Sequence, residues 1–227
     1  MKLAQNVALL PAKRDGMGSL NLVLTWDDDK NLALIDAGLP GQIDEIAGLI
    51  ADAGFCAEDL THIIITHQDL DHIGCVGDLL KLAPGAKVVA HVEEAPYIDG
   101  RQTQIKVAAR LEKYDTYTEE EKASIDYWKN FPPIAITDEV VDGQILPICG
   151  GIEIVHVPGH TPGHIALYLK ESRIIVCGDA INIRDGQIVG SNPVHTFDME
   201  LADKSMEKIK GYDLGGAVAY HTGFLAL

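Results

Sequence analysis

Short stretches of apolar and polar positions alternate along this chain, and the spacing of the apolar ones predicts its elements. Apolar runs at 19–26 and 31–38 flank a polar turn and predict a β-hairpin. Isoleucine and leucine recur at helical spacing over 42–54, which predicts a helix that stops at a glycine. A β-branched run at 61–67 predicts a short buried strand, and residues 1–16 predict a first strand.

The same alternation of strands and helices continues to the end of the chain. Residues 72–85 predict a helix that closes at a Pro-Gly pair, and 86–91 predict the next strand. The second half predicts four closely spaced strands, a strand-like stretch, a helix and a last strand, at 144–148, 151–157, 164–170, 173–178, 181–190, 199–210 and 215–220. This alternation indicates a single layered α/β domain over 1–227.

The segment from about 92 to 142 differs in character from the rest. Helical spacing covers 101–113 and 118–130, and Thr118 and Glu121 have the spacing of a capping box. The segment contains six aromatic residues: Tyr97, Tyr114, Tyr117, Tyr127, Trp128 and Phe131. We predict a helical insert or flap whose aromatics line an apolar substrate pocket. An ordinary cap over the core, or a contact in a homodimer, explains the same pattern equally well.

Composition places the chain among soluble globular proteins. The hydrophobic fraction is 47% and the charged fraction 23%, and no run of 18 apolar residues predicts a membrane helix. The sequence shows no signal peptide and its four cysteines are scattered, which predicts a cytoplasmic protein with reduced thiols, although an even count also allows disulfides. The net charge of −16, without clustered Lys and Arg, disfavours nucleic acid and leaves a small-molecule substrate as the expected partner.

The segment T-H-Q-D-L-D-H-I-G, residues 66–74, carries the strongest chemical signal. An apolar run ends just before four candidate metal ligands: His67, Asp69, Asp71 and His72. A strand that delivers imidazoles and carboxylates into one tight loop suits divalent cations, and a carboxylate-rich set can hold two of them. The alternative is an acidic helix start in which Asp69 or Asp71 caps the next helix, but capping does not require the two histidines.

Three later motifs add candidates. V-P-G-H-T-P-G-H is typical of an irregular turn, which can aim His160 at a site. V-C-G-D-A places Asp179 at the end of a buried strand. A-Y-H-T-G places His221 after the last predicted strand. A metal would offset the cost of burying the Asp179 carboxylate, whereas a simple turn-forming role is the alternative. His62 and His156 lie in apolar strand runs and are expected in the core or at an edge. The roles of three other histidines stay open: His91, His164 and His195.

These four motifs, in this order, resemble those of the metallo-β-lactamase superfamily, and the resemblance covers nearly the whole chain. The family pattern is H-x-H-x-D-H, a His in a G-H-T-x-G-type turn, G-D and a late His, and it is matched by His67, Asp71, His72, His160, Asp179 and His221. The segment I-D-A-G also resembles the family's D-x-G turn, so Asp36 is expected to brace the metal loop. The resemblance implies a four-layer αββα sandwich.

The resemblance also implies two divalent metal ions, for which zinc is our prediction. It assigns one ion to His67, Asp69 and His160, the other to Asp71, His72 and His221, and a bridging role to Asp179. Asp69 stands where the family has its second His. The flavodiiron branch is similar, with a carboxylate ligand in H-x-E-x-D-H, so Asp69 is predicted to be a direct ligand and iron or manganese becomes an alternative.

We therefore expect a dinuclear hydrolase that uses a metal-bridged hydroxide on an ester, lactone or thioester of a small molecule. Asp71 is the expected catalytic residue, which orients the nucleophile or accepts its proton. The G-x-S-x-G motif of serine hydrolases is absent. A di-iron redox enzyme is the alternative suggested by Asp69, although the chain carries no flavin or rubredoxin domain. A non-catalytic relative that binds metal or a partner is the third.

Overall fold

Seven strands form the first sheet of the computed structural model, which describes residues 1–14, 16 and 18–227. They are β1 (Lys2–Ala4), β2 (Val7–Lys13), β3 (Ser19–Trp26), β4 (Leu32–Ile35), β5 (His62–Ile64), β6 (Lys87–His91) and β7 (Asp138–Val140). They lie side by side in chain order, antiparallel from β1 to β4 and parallel from β4 to β7. The carboxyl ends of the parallel strands therefore meet at one edge of the sheet, where α/β proteins place their sites.

The second sheet and a separate hairpin come from the second half of the described chain. Their strands are β8 (Ile145–Leu146), β9 (Ile152–His156), β10 (Ile165–Leu169), β11 (Ile174–Val176), β12 (Ile181–Arg184), β13 (Gln187–Gly190), β14 (Gly216–Ala219) and β15 (Gly223–Ala226). The sheet order is β15-β14-β11-β10-β9-β8, with β11 and β14 parallel and the other neighbours antiparallel. Strands β12 and β13 pair only with each other.

The helices are α1 (Ile43–Asp52), α2 (Leu70–Ile73), α3 (Val76–Leu82), α4 (Ala95–Ile98), α5 (Ile105–Leu111), α6 (Glu119–Lys129) and α7 (Met199–Lys210). The predicted capping box of α6 is present, with Thr118 and Glu121 bonded reciprocally. Among the helices of the described residues, none combines the length and apolar content needed to cross a bilayer.

Three layers of apolar side chains hold the sheets and helices together. Between the sheets, Ile64 of the first sheet and Leu167 of the second belong to one buried cluster. The outer face of the first sheet packs on α1 through residues such as Ile50, and the outer face of the second packs on α7 through Ile209. The order of layers is helix, sheet, sheet, helix, so the predicted αββα sandwich is confirmed.

Strand β5 shows how this layering shapes the sequence. Ile63 and Ile65 belong to the cluster on the helix side, whereas Ile64 faces the other sheet. Successive side chains of a strand point to opposite faces, and both faces are buried here, so the apolar run is continuous. The polar residues after Ile65 begin where the chain leaves the sheet.

Several predicted elements have different bounds. Residues 1–16 contain two strands, β1 and β2, rather than one, and the predicted helix at 72–85 is divided into α2 and α3. The segment 92–142 is not helical throughout, because β7 joins the first sheet. Strand β15 and helix α4 were not predicted, since neither has enough periodic positions to be recognised.

Gly74, between α2 and α3, is required by a close approach of two backbone segments. A Cβ at this position would lie 2.3 Å from Pro40 N and 2.4 Å from Leu39 C. Gly77, one turn later in α3, is exposed, and a Cβ there would meet nothing within 4 Å. The two glycines therefore form a matched pair, one constrained by packing and one not.

We predict that Gly74→Ala lowers the free energy of unfolding by about 1–3 kcal/mol, because the backbone near Pro40 has to move. Gly77→Ala should leave it unchanged or raise it by up to about 1 kcal/mol through helix propensity. Urea unfolding of both variants measures the difference. Equal effects would contradict the assigned contact.

Candidate metal centre

The predicted metal ligands converge at the edge where strands of both sheets end. Donor atoms within 4.8 Å of one another define two groups. The first ligand group is His67, Asp69, His160 and Asp179, and the second ligand group is Asp71, His72 and His221. Residues from both halves of the chain thus contribute to one site, and the two groups are consistent with a dinuclear metal centre.

Asp179 lies between the two ligand groups. Its Oδ2 is 3.5 Å from His160 Nε2 of the first group. Its Oδ1 is 3.5 Å from His72 Nε2 and 3.2 Å from His221 Nε2, both of the second group. One carboxylate whose two oxygens face different groups has the geometry of a bridging ligand.

Asp69 stands at the N-cap position of α2, yet its side chain makes no capping hydrogen bond. Its Oδ2 lies 3.2 Å from His67 Nε2 and 3.0 Å from His160 Nε2. The interpretation of Asp69 as a helix cap is therefore wrong. The carboxylate stands at the sequence position of the family's second His and faces His67 and His160.

The Asp36 carboxylate contacts both ends of the ligand-bearing loop at 66–72, as the D-x-G resemblance predicts. Its Oδ1 accepts from the Thr66 backbone N–H at 2.9 Å, and its Oδ2 lies 2.8 Å from His72 Nδ1. Asp36 has a φ of 61°, a conformation that Asp tolerates better than most residues. Because Nδ1 is bonded to Asp36, His72 Nε2 is the ring nitrogen that faces the other donors of the second ligand group.

Gly178 and His164 determine the position of Asp179. Gly178 has a φ of 51°, and a Cβ there would lie 2.8 Å from Thr66 Oγ1 and 2.9 Å from His164 Nε2. The Asp179 backbone N–H donates to His164 Nε2 at 3.1 Å. His164 is fully buried, and its ring stacks on His67 at 4.6 Å between centroids. His164 therefore supports the ligands without belonging to either group.

The burial and charge of the site suit cations. Carboxylate oxygens lie 3.2 Å from His67 Nε2 and 3.5 Å from His72 Nε2, yet neither nitrogen forms a hydrogen bond within the described residues. Burial lowers the pKa of His67 to about 3, so its ring is neutral at pH 7, the form that coordinates metals. Burial alone would raise the pKa of Asp179, but His72, His221 and His160 hold it well below its usual range. The neutral His67 ring and the ionised Asp179 carboxylate fit divalent ions, and the residues of the two ligand groups would hold two.

Glu94 was missed in the sequence, although it connects three parts of the site. It is fully buried and accepts from the Gln68 backbone N–H at 2.8 Å and from the Gly163 N–H at 2.9 Å. Gln68 Oε1 in turn accepts from the Ile105 N–H at 2.7 Å. Burial raises the pKa of Glu94 to about 7, despite these donors. A lone Glu after a strand carries no signal of such a role.

Two further residues at the site were also missed. The Tyr220 hydroxyl donates to the Asp71 carbonyl at 2.6 Å, and its ring lies 3.9 Å from that of His72 between centroids. The Lys106 ammonium contacts Asp69 Oδ2 and lies 3.0 Å from His160 Nε2. Lys106 comes from α5, and nothing in its local sequence predicts this contact.

The remaining histidines lie where the strand pattern indicates, or nearby. His62 bonds only to the neighbouring Thr61 hydroxyl, at 2.9 Å. His156 stacks on His91, with 4.2 Å between ring centroids, away from both ligand groups. His195 lines the cavity that opens on the ligands.

A cavity of about 1010 Å³ opens onto both ligand groups. Of the six aromatics in the 92–142 segment, Trp128 lines it, whereas Tyr127 is exposed and Phe131 packs on the core. Charged side chains from both walls also line this cavity: Lys13, Arg14, Asp44, Glu45, Lys106 and Arg110.

Comparison with known proteins identifies the family. The sequence profile of the metallo-beta-lactamase superfamily matches residues 15–221, and the chain belongs to this superfamily. It is 29% identical over 162 residues to a hydroxyacylglutathione hydrolase of Haemophilus influenzae, a match that covers 71% of this chain and 66% of that relative. It is also 29% identical over 211 residues to a probable metallo-hydrolase of Bacillus subtilis, covering 81% and 72%.

The fold agrees with solved structures of the same superfamily. The crystal structure of a metallo-beta-lactamase family protein from Thermus thermophilus superposes with a TM-score of 0.78 at 25% identity. The superposition covers 99% of this chain and 76% of that one. The protein is thus a member of the metallo-beta-lactamase superfamily, with two His/Asp groups that are consistent with a dinuclear metal site.

We predict that the protein, saturated with zinc and desalted, retains two metal equivalents, because seven donors exceed what one ion uses. Asp69→Ala should retain one equivalent. Asp78→Ala, which removes an ion-paired surface carboxylate from α3, serves as the control and should retain two. Elemental analysis measures the content, and a wild-type protein that saturates at one equivalent would contradict the dinuclear reading.

We predict that Glu94→Ala lowers the free energy of unfolding by at least about 2 kcal/mol, since it leaves buried N–H donors without an acceptor. Glu93→Ala removes an exposed carboxylate from the adjacent position and should change stability by less than about 0.5 kcal/mol. Denaturant unfolding at constant metal loading compares them. Similar small losses in both variants would show that Glu94 does not hold the loops together.

Proposed function

We propose that this protein is a dinuclear metal-dependent hydrolase that acts on an ester, lactone or thioester of a small molecule. The observation that carries the proposal is the pair of adjoining ligand groups, with the Asp179 carboxylate facing both. His67, Asp69 and His160 would hold one ion, and Asp71, His72 and His221 the other. The chemistry that such ions supply is the activation of a water molecule and the polarisation of a carbonyl.

The chain's own groups support this chemistry at defined atoms. Asp71 lines the cavity, and its Oδ2 lies 3.5 Å from His221 Nε2, so it can accept a proton from the attacking water. The Tyr220 hydroxyl fixes the Asp71 backbone, while Asp36 and His164 hold the ligands from behind. These contacts pre-organise the site and keep its reorganisation small during the reaction.

Zinc is the metal we propose, with iron or manganese tolerated. Asp69 gives the first ligand group a hard oxygen donor in place of an imidazole, which shifts preference away from zinc. The second ligand group keeps two imidazoles and one carboxylate, a donor set that zinc accepts.

A relative supports the choice of an acyl substrate. The Haemophilus influenzae relative is named for the hydrolysis of a hydroxyacyl derivative of glutathione, and it matches 71% of this chain. The net charge of −16 disfavours nucleic acid substrates, because proteins bind the phosphates of nucleic acids through basic residues. We therefore place the substrate among small acyl compounds rather than phosphodiesters of nucleic acids.

A panel of thioester, lactone, phosphodiester and β-lactam compounds tests the proposal with metal-loaded protein. We expect hydrolysis of thioesters or lactones, and His221→Ala should abolish it because the second ligand group loses a donor. His62→Gln changes a histidine outside the site and should retain activity. Hydrolysis of phosphodiesters alone, or full activity in His221→Ala, would overturn the proposal.

A further inference from the structure

The wall of the cavity formed by α5 and α6 carries two basic side chains, Lys106, which contacts Asp69 of the first ligand group, and Arg110. Its lining residues are Gln104, Lys106, Arg110 and Trp128, and the acidic residues outside the ligand groups, Asp44 and Glu45, line the wall near α1. The chain as a whole has 34 acidic and 18 basic residues. Because acidic residues outnumber basic ones, the overall composition does not predict two basic residues on one wall of the cavity.

Lys106 and Arg110 point to the same side of α5. They are four residues apart, so they share one helix face with about 6 Å between their positions along the axis. The Lys106 ammonium reaches the first ligand group, where it lies 3.0 Å from His160 Nε2. Arg110 thus stands one turn further from the reacting centre, along the same wall.

The Arg110 guanidinium is held by an aromatic ring rather than by a carboxylate. Its Cζ lies 4.4 Å from the centroid of the Trp128 ring, and Arg110 forms no ion pair in the described part of the chain. By contrast, Arg101 in the same segment is paired with Asp99 and Glu139, each at 2.6 Å. A guanidinium stacked on indole keeps the donors of its edge available for a bidentate contact with a carboxylate.

The α5 wall is fixed relative to the ligand groups. The Ile105 N–H at the start of α5 donates to Gln68 Oε1, and Gln68 Nε2 donates to the buried Glu94 at 2.9 Å. This chain of hydrogen bonds connects the helix to the residue next to His67. A basic group on a fixed wall contributes more to binding than one on a mobile loop, because less ordering accompanies the contact.

We propose that Lys106, Arg110 and Trp128 form an anion subsite that selects acyl substrates bearing a carboxylate a few bonds from the scissile carbonyl. This proposal rests on the proposed hydrolase function and names its substrate class. The alternative is that these cations only reduce the negative potential of the ligand carboxylates. In that case any positive charge near the cavity would serve equally well, and no preference between substrates would depend on Arg110.

The experiment compares two thioesters of the same neutral thiol, N-acetylcysteamine. One carries a glutaryl group and the other a pentanoyl group, so they differ in a terminal carboxylate. The metal-loaded wild type should prefer the glutaryl compound in kcat/KM. In Arg110→Gln the ratio of the two kcat/KM values should fall by about 10- to 100-fold, mainly through KM, as expected when a charge-assisted hydrogen bond is lost.

Lys113→Gln is the matched control. It removes one positive charge just beyond α5, from an exposed residue that does not line the cavity, and should keep the wild-type ratio. An equal fall in both variants would show a general electrostatic effect and overturn the subsite. A wild type with no preference for the glutaryl compound would overturn it as well, while leaving the hydrolase function in place.

A binding measurement separates the two proposals if no thioester is hydrolysed. In a Trp26→Phe background, Trp128 is the remaining tryptophan and reports directly on the subsite. Glutarate should change its fluorescence with saturation, and Arg110→Gln should weaken the apparent affinity by about 10-fold or more. Saturable binding by a protein that hydrolyses no ester, lactone or thioester would support the subsite and sink the proposed function. A protein that neither binds glutarate nor hydrolyses any of these substrates would contradict both the subsite and the proposed function.

Discussion

The buried carboxylate of Asp36 joins the end of one strand to the loop that follows the next. It accepts hydrogen bonds from Thr66 and lies 2.8 Å from His72 Nδ1, so the carboxyl ends of β4 and β5 are held at a fixed separation. A buried charge is costly unless it is hydrogen-bonded, and here every partner is part of the metal loop. The cost of burying Asp36 is thus offset only when the loop adopts the conformation that turns His72 Nε2 toward the second ligand group. Fold and site are coupled through this one side chain.

The density of negative charge explains much of what surrounds the ligands. Asp69, Asp71 and Asp179 lie within one small volume, and Asp36 is directly behind them. Such a cluster is stable only with positive partners, which in the chain itself include the Lys106 ammonium and the His72 ring, whose pKa Asp36 and Asp179 hold well above its usual range despite its burial. Two divalent ions would supply the same compensation more fully. The net charge of the protein is negative, yet basic residues line the cavity near the ligands. They are stable there because the nearby carboxylates, and not the net charge, determine the local potential.

The residues that come together in the two groups could be predicted from the sequence because each lies in a short motif near the end of an apolar run. His67 and His72 follow β5, and Asp179 follows β11. Glu94, Tyr220 and Lys106 could not be found in this way, since their roles arise from contacts between distant segments. The division of the predicted helix at 72–85 has the same origin, because Gly74 meets the backbone near Pro40. Strand β7 was hidden in a segment of helical character, where tertiary pairing with β6 overrode local pattern.

Asp69 lies between the first ligand group and the proposed anion subsite. Its Oδ2 faces His67 and His160 on one side and the Lys106 ammonium on the other. An ammonium and a divalent ion would compete for this oxygen, so an ion held by the first ligand group would weaken the contact between Asp69 and Lys106. Lys106 lines the cavity and shares a helix face with Arg110, so a released ammonium would be available to a molecule bound in the cavity. An imidazole at position 69 could not hold the ammonium in this way, because a metal-bound ring offers no anionic oxygen. With metal bound, the departure from the family pattern would therefore affect the cavity wall as well as the donor set.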